Sequence, residues 1–244
     1  MKTKKTLLFL TSCVTPHKDM PCTIVTDGEK RRIEYLKSIN WYLKHTNYDL
    51  AIIDNSGFDF SSYLKEEKER FVIVDSFLTD DFNLKLGKGY GEGLIILRLL
   101  RHEIINDYDI IIKVSGRHVI LNINLLSFAC RYIPTRFFIS AVWCKNDRFA
   151  VTDCFICSPS FLQNILSLNL LKIDESKYYY IEHVLSDSIE QAILNGYKYI
   201  FFIQPIHQIG VSGSTGLKLE SVSSLKSKCA YIKNFFFSLL GLKQ

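Results

Sequence analysis

The sequence predicts an α/β fold, and three observations carry that prediction. Strand-like apolar runs alternate with helix-like amphipathic segments over about 200 residues, the pattern of strands and helices layered together. Hydrophobic residues make up 48% of the 244-residue chain, enough for a full core. The stretch Asp107-Tyr108-Asp109-Ile110-Ile111-Ile112-Lys113-Val114-Ser115-Gly116-Arg117-His118 reads as a buried strand running straight into a turn that carries two cations.

The elements follow in order. Residues 6–13 form the first strand. The preceding Met1-Lys2-Thr3-Lys4-Lys5 and the apolar residues after it resemble a short lipoprotein signal, but the apolar part, 7–10, is shorter than the usual core of about 7–15 residues, and a first buried strand is the better reading. Thr26-Asp27-Gly28-Glu29 has capping-box spacing and opens a helix to about His45, with Ile33, Leu36, Ile39 and Leu43 as its apolar face. Residues 48–53 form a second strand that ends in the turn Asp54-Asn55-Ser56-Gly57. A short charged helix over 62–70 leads to a third strand, 71–74. The run Gly87-Lys88-Gly89-Tyr90-Gly91-Glu92-Gly93 then leads into a helix over 92–106, and the central strand covers 109–113.

A helix over 122–131 precedes two strands, 136–143 and 149–157, joined by Lys145-Asn146-Asp147. Residues 159–167 are helical with Ser158 as the cap. An amphipathic helix over 178–195 stops at Gly196, and 197–203 is a last strand. A Gly/Ser loop, 210–216, precedes the tail. No repeat or linker interrupts the chain before Lys218, so the expected organisation is one domain, 1–217, and a basic, aromatic segment, 218–244.

The net charge of +5 is uneven: five lysines against Glu220 give the segment from Lys218 onward +4, and the other 217 residues carry only +1. That distribution excludes a broad nucleic-acid surface. Seven cysteines without regular spacing point to reduced thiols in a cytoplasmic setting, and Cys154-Phe155-Ile156-Cys157, with no second ligand pair, reads as strand core and not as a zinc site. No apolar stretch approaches the length of about 20 residues that a membrane span needs.

Ligands of open α/β sheets bind beyond the carboxyl ends of the strands. Lys113 and Arg117 fall there, and cations taken out of water call for an anionic partner, which a guanidinium fork and an ammonium can hold without a metal. Asp54, at the end of the second strand, either accepts hydrogen bonds from a ribose or base edge or caps its own turn. The glycine run is not the dinucleotide fingerprint, which must follow a strand directly. Its glycines still permit close approach of a ligand, the following helix offers its N-terminus to anions, and Lys88 adds a charge; the plain alternative is a flexible start to the helix. Asp107-Tyr108-Asp109 matches a DxD metal pattern but lies at the amino end of its strand, away from the crevice. Glu182 and His183 fall at the margin of the helix over 178–195, where Glu182 is either a general base or an ordinary solvated residue. His207, before the loop 210–216, either meets a phosphate or is structural.

Taken in order, Thr11-Ser12-Cys13, Asp54-Asn55-Ser56-Gly57, Gly87-Lys88-Gly89-Tyr90-Gly91-Glu92, Lys113-Val114-Ser115-Gly116-Arg117, Glu182-His183 and the loop 210–216 resemble the GT-A-type glycosyltransferases of bacterial O-antigen, capsule and lipooligosaccharide assembly. The resemblance covers about residues 6–216 and implies a Rossmann-type mixed sheet flanked by helices. It implies sugar transfer from a nucleotide-sugar donor to a hydroxyl of a glycan or lipid-linked glycan acceptor. It places the catalytic acid near Glu182, with His183 beside it, and a nucleoside contact at Asp54. Thr11, Asp54, Lys88, Glu92, Lys113, Arg117 and His207 are the nucleotide- and phosphate-binding candidates. The sequence departs from the family in lacking a DxD at the strand end, where Lys113 and Arg117 stand. That departure predicts a metal-independent site with no cofactor and leaves a cytidine-monophosphate donor open. A non-catalytic nucleotide- or glycan-binding subunit and a nucleotidyltransferase are the alternatives. In the tail, Lys226, Lys228 and Lys233 alternate with Tyr231, Ile232, Phe235, Phe236, Phe237, Leu239, Leu240 and Leu242, a pattern suited to the inner, anionic membrane face or to packing on the domain or on a partner subunit.

Overall fold

The structure is a computed structural model that describes residues 4–17, 20, 23–64, 69–79, 86–132, 137–212, 215–220 and 225–239. Strand β1 (Thr6–Ser12) is buried along its whole length, which is why residues that resemble a signal segment are so apolar. It pairs in parallel with β2 (Asp49–Asp54) on one side and β4 (Ile110–Ser115) on the other, and β3 (Phe71–Ser76) runs parallel beyond β2. β9 (Cys154–Cys157) lies antiparallel between β4 and β6 (Phe138–Ser140), and β10 (Lys198–Tyr199) closes the far edge. The result is a mixed sheet of seven strands in the order β10-β6-β9-β4-β1-β2-β3.

Alternation along the central strands sorts the core onto two faces. Leu7 and Phe9 face α2 (Gly87–Leu99) and α6 (Ile181–Leu194), packing with Ile95, Ile96, Leu99, Val184 and Leu185. Leu8 and Leu10 face α1 (Gly28–His45) and α3 (Ile123–Tyr132), packing with Tyr35, Ile39, Tyr42 and Leu126. Ile111 and Lys113 point to the α2 side, whereas Ile110, Ile112 and Val114 point to the α1 side.

Several expected elements are shifted. The cap of α1 is Asp27, which accepts from the backbone N–H of Glu29 and Lys30. Its buried stripe is Arg31, Tyr35, Ser38, Ile39 and Tyr42; Ile33 is exposed. The expected helix over 62–70 is a turn at 61–63 and a 3-10 turn at 69–70, with 65–68 outside the described residues. The glycine run does not precede α2 but forms its first turns, and the expected end at Asn106 is a separate 3-10 helix, Glu103–Asp107.

Each of the two strands flanking Lys145-Asn146-Asp147 is broken in two. Its inner half joins the main sheet, and β7 (Trp143–Cys144) and β8 (Phe149–Ala150) form a separate ribbon. The helix after Ser158 runs through α4 (Pro159–Phe161), a π turn (Leu162–Leu166) and α5 (Ser167–Leu170). Cys154 and Cys157 are fully buried on β9, in keeping with strand core.

The segment after residue 217 is tied to the rest. β12 (Lys218–Glu220) pairs with β11 (Gln208–Val211), which pairs in turn with β5 (Val119–Ile120). α7 (Leu225–Leu239) inserts Phe235 into the α1-side core, and its buried Ser238 Oγ accepts from Phe201 N at 3.4 Å. Leu240, Leu242, Gly213 and Ser214 lie outside the described residues. No helix among the described residues is long and apolar enough to cross a membrane.

Candidate active site

A cavity of about 560 Å³ opens at the carboxyl ends of β1 and β4, where the fold places ligands. Thr11, Lys88, Glu92, Arg117 and Glu182 line it; Asp54, Lys113, His183 and His207 do not.

Each candidate left out has a structural occupation. Asp54 is fully buried. Its Oδ2 accepts from Ser12 Oγ at 2.7 Å and Val14 N at 2.9 Å, and its Oδ1 from Ser56 N at 2.7 Å, Ser56 Oγ at 2.6 Å and Phe58 N at 3.1 Å. It therefore knits the loops after β1 and β2 together and has no capacity left for a nucleoside. His183 caps α6: its Nδ1 accepts from Tyr180 N at 3.1 Å, and its ring stacks on Tyr179. His207 lies before β11, where its backbone N–H donates to Asn122 Oδ1 at 2.9 Å.

Lys113 corrects the expectation most sharply. Only 1% of it is exposed, its ammonium pairs with Glu92, and it donates to the Thr152 carbonyl at 2.7 Å. Its counter-charge is thus part of the protein, and the premise that it awaits an external anion fails. Arg117 pairs with Glu34 at 2.8 Å and donates to the Val211 carbonyl at 3.3 Å, but unlike Lys113 it lines the cavity. The start of α2 is occupied too. Gly89 N donates to Glu175 Oε1 at 2.7 Å, and a Cβ at Gly87 or Gly89 would strike the Glu175 side chain. The glycines admit an anion, but that anion is the protein's own carboxylate.

Asp107-Tyr108-Asp109 lies at the amino end of β4, where Asp109 Oδ2 accepts from Lys5 N at 3.0 Å, away from the cavity.

The cavity has two chemically different sides. On the α2 and α6 side stand Glu92, Glu175 and Glu182 with Lys88 at the rim. Burial raises the pKa of Glu182, with the charges of Glu92 and Glu175 adding to it, and a backbone hydrogen bond and Lys88 only partly oppose this. Thr152 Oγ1 lies 3.5 Å from Glu182 Oε1, and Thr11 Oγ1 lies 3.5 Å from Glu92 Oε1. On the α1 side stand Arg31, Tyr35 and Arg117. Gly116 forms the floor between them: a Cβ there would meet the Thr11 carbonyl at 2.7 Å and the Tyr35 ring at 3.1 Å. Burial and the nearby charge of Arg31 lower the pKa of Arg117.

A third cluster joins Asp153, His118 and Gln208. Gln208 Nε2 lies 2.8 Å from His118 Nδ1 and donates to Asp153 Oδ2 at 3.1 Å; His118 Nδ1 is 3.6 Å from Asp153 Oδ1. Burial raises the pKa of Asp153, but His118, Gln208 and Lys113 outweigh it and hold the carboxyl well below the usual range. Among the described residues no group of three or more His, Cys, Asp or Glu side chains is arranged to hold a metal ion.

Sequence reasoning missed Arg31, Tyr35, Glu175, His118 and Asp153. Arg31 and Tyr35 carried a signal, since their spacing of four and three with Ser38 and Tyr42 marks one face of α1. Glu175 carried none, because it reaches Gly89 only through the tertiary fold.

No protein-family model matches the chain, and no curated protein matches it. Solved structures do. A mannosyltransferase from Pyrobaculum calidifontis, in complex with GDP-Man and Mn2+, superposes with a TM-score of 0.51 at 9% identity, covering 99% of this chain and 65% of that one. The inositol-1-phosphate CTP transferase from T. maritima gives 0.47 at 11% identity, with 99% and 96% covered. A cytidylyltransferase from Leptospira borgpetersenii gives 0.45 at 14% identity, with 98% and 92% covered. At such identity the likeness is one of architecture: the sheet of seven strands flanked by helices is GT-A-like.

Proposed function

We propose that this chain is a glycosyltransferase that moves a sugar from a nucleotide-activated donor to a hydroxyl of a bacterial surface-glycan acceptor. The observation that carries the reading is Glu182, a carboxylate with a raised pKa on the wall of the cavity at the strand ends of a GT-A-like sheet. Glu182 takes the proton from the acceptor hydroxyl as its oxygen attacks the anomeric carbon. The bond from that carbon to the phosphate oxygen breaks, and the nucleotide leaves with the electron pair. Charge building on the phosphate is met from the arginine side of the cavity, so turnover is expected to survive chelator.

In this reading Lys113 acts through Glu92: the pair fixes the wall beside the base and does not touch donor. The exposed side of α7 is read as the contact with an anionic membrane surface, which brings the site to a lipid-linked acceptor.

The test is donor consumption with acceptor extract and chelator present, after UDP, GDP, CDP and CMP are ranked by thermal shift. Glu182→Gln should keep nucleotide binding and lose about 10²–10⁴-fold in turnover. Full turnover in Glu182→Gln would refute the assignment of the base. Release of pyrophosphate in place of nucleoside phosphate would identify a nucleotidyltransferase, and binding without any consumption a non-catalytic subunit.

A further inference from the structure

Arg31 is a buried cation on the cavity wall. It is 7% exposed, yet its partners are backbone carbonyls: Nε and Nη2 donate to the Cys13 carbonyl at 2.8 and 2.6 Å, and Nη1 donates to the Val25 carbonyl at 3.0 Å. No carboxylate among the described residues pairs with it. A guanidinium has five N–H donors, so these contacts orient the fork while leaving donors and the whole charge unspent. A buried charge without a counter-charge is costly, and proteins keep one where something else supplies the opposite sign.

The neighbours of Arg31 sharpen the point. Arg117 brings a second guanidinium, while Glu34 is the one carboxylate that pairs with either arginine among the described residues. Among the described residues the two guanidinia of this corner thus share one directly paired carboxylate. The Tyr35 hydroxyl, on a side chain only 4% exposed, accepts from Cys13 N at 2.8 Å, and its own proton has no acceptor among the described residues. Three donor side chains from α1 and the turn after β4 thus line one cavity wall beside the bare backbone of Gly116.

We infer that Arg31, Arg117 and Tyr35 form a built anion site that takes the phosphoryl group of the donor nucleotide, on the α1 side of the cavity and opposite in charge to the Glu182 side. The assignment to a nucleotide rests on the function proposed above; the anion site itself rests on a buried guanidinium that no carboxylate among the described residues pairs with. It also gives the donor a direction, with phosphate toward α1 and the sugar toward α2 and α6, where the carboxylates await the acceptor.

The experiment is calorimetric titration of wild type, Arg31→Gln and Arg117→Gln with inorganic pyrophosphate, with UDP, GDP, CDP and CMP, and with the matching nucleosides. Circular dichroism melts check that each variant folds. The expected result is that wild type binds pyrophosphate and at least one nucleotide, that the nucleoside binds far more weakly, and that each variant loses about tenfold to a hundredfold in affinity for the phosphorylated ligands. If Arg31→Gln does not fold, Arg117→Gln and the contrast between nucleotide and nucleoside in wild type carry the test. Pyrophosphate binding without any nucleotide binding would support the anion site and overturn the glycosyltransferase reading. Nucleoside binding as tight as nucleotide binding, or unchanged affinity in folded variants, would overturn the anion site.

Discussion

Glu182 stands on the cavity wall, and Lys113 lies behind it, paired with Glu92. Burial favours the neutral form of Glu182, and the Glu92 and Glu175 carboxylates push the same way. A base must be deprotonated to act, so activity should fall on the acid side with an apparent pKa above the ordinary glutamate value of about 4.3, and that limb should vanish in Glu182→Gln. A pH profile of donor consumption checks this. Lys113 instead compensates Glu92. Lys113→Ala leaves a carboxylate without its partner and should cost about 3 kcal/mol in urea unfolding while changing nucleotide affinity little. A large loss of affinity at unchanged stability would return Lys113 to the phosphate. The sequence placed both residues at the right strand and helix, but not the direction of either side chain. Lys113 shares the α2 face with Ile111, and on that face Glu92 meets it before any ligand can.

At the scale of elements, the glycine run is where local and tertiary signals part. As a sequence it looks like a flexible approach to a helix, since glycine is costly inside one. In the fold, residues 87–93 are helical because other segments press on their bare backbone: Glu175 against Gly87 and Gly89, Ile181 against Gly89, and Ile173 against Gly93. Glu175 is held for this by a tight loop in which Asp174 pairs with Tyr179 and Asp174 Oδ1 accepts from Ser176 N at 3.2 Å. Gly89→Ala would put its Cβ 2.9 Å from Glu175 Oε1 and 3.1 Å from Ile181 Cγ2. The expected cost is about 1–3 kcal/mol by thermal or urea unfolding. A neutral Gly89→Ala would mean that Glu175 moves aside freely and that the helix start is open to ligand anions after all. The central place of the strand over 109–113 was legible for the opposite reason. β1, β2 and β4 are apolar on both faces, and such strands can only be central. The broken pair flanking residues 145–148 was not legible, because leaving the main sheet for a ribbon depends on what each half packs against.

At the scale of the whole molecule, the cationic tail of the sequence packs on the near-neutral body through one side of α7. Phe235 is 6% exposed and belongs to the α1-side core, whereas Ile232 and Phe236, 44% and 54% exposed, are four residues apart on the outer side of α7. Lys233 stands beside them, its ammonium 5.5 Å from the Phe237 ring centre. Helical spacing therefore divides the tail into an anchor and an offered face, a division that composition alone could not make. The two functions separate by mutation. Phe235→Ala should cost about 3–5 kcal/mol of stability, as large core truncations do. Ile232→Ser with Phe236→Ser should cost about 1 kcal/mol or less, since both side chains are largely exposed and Phe236 touches the core only through the edge of the Phe235 ring. If the outer face meets an anionic bilayer, the full-length double variant should float less with phosphatidylserine vesicles than wild type, and added salt should weaken wild-type binding, because each basic residue near such a surface contributes about 1 kcal/mol of screened attraction. Equal recovery of wild type and double variant in the soluble fraction would leave α7 a structural helix, and the acceptor would then have to reach the Glu182 side of the cavity without help from the tail.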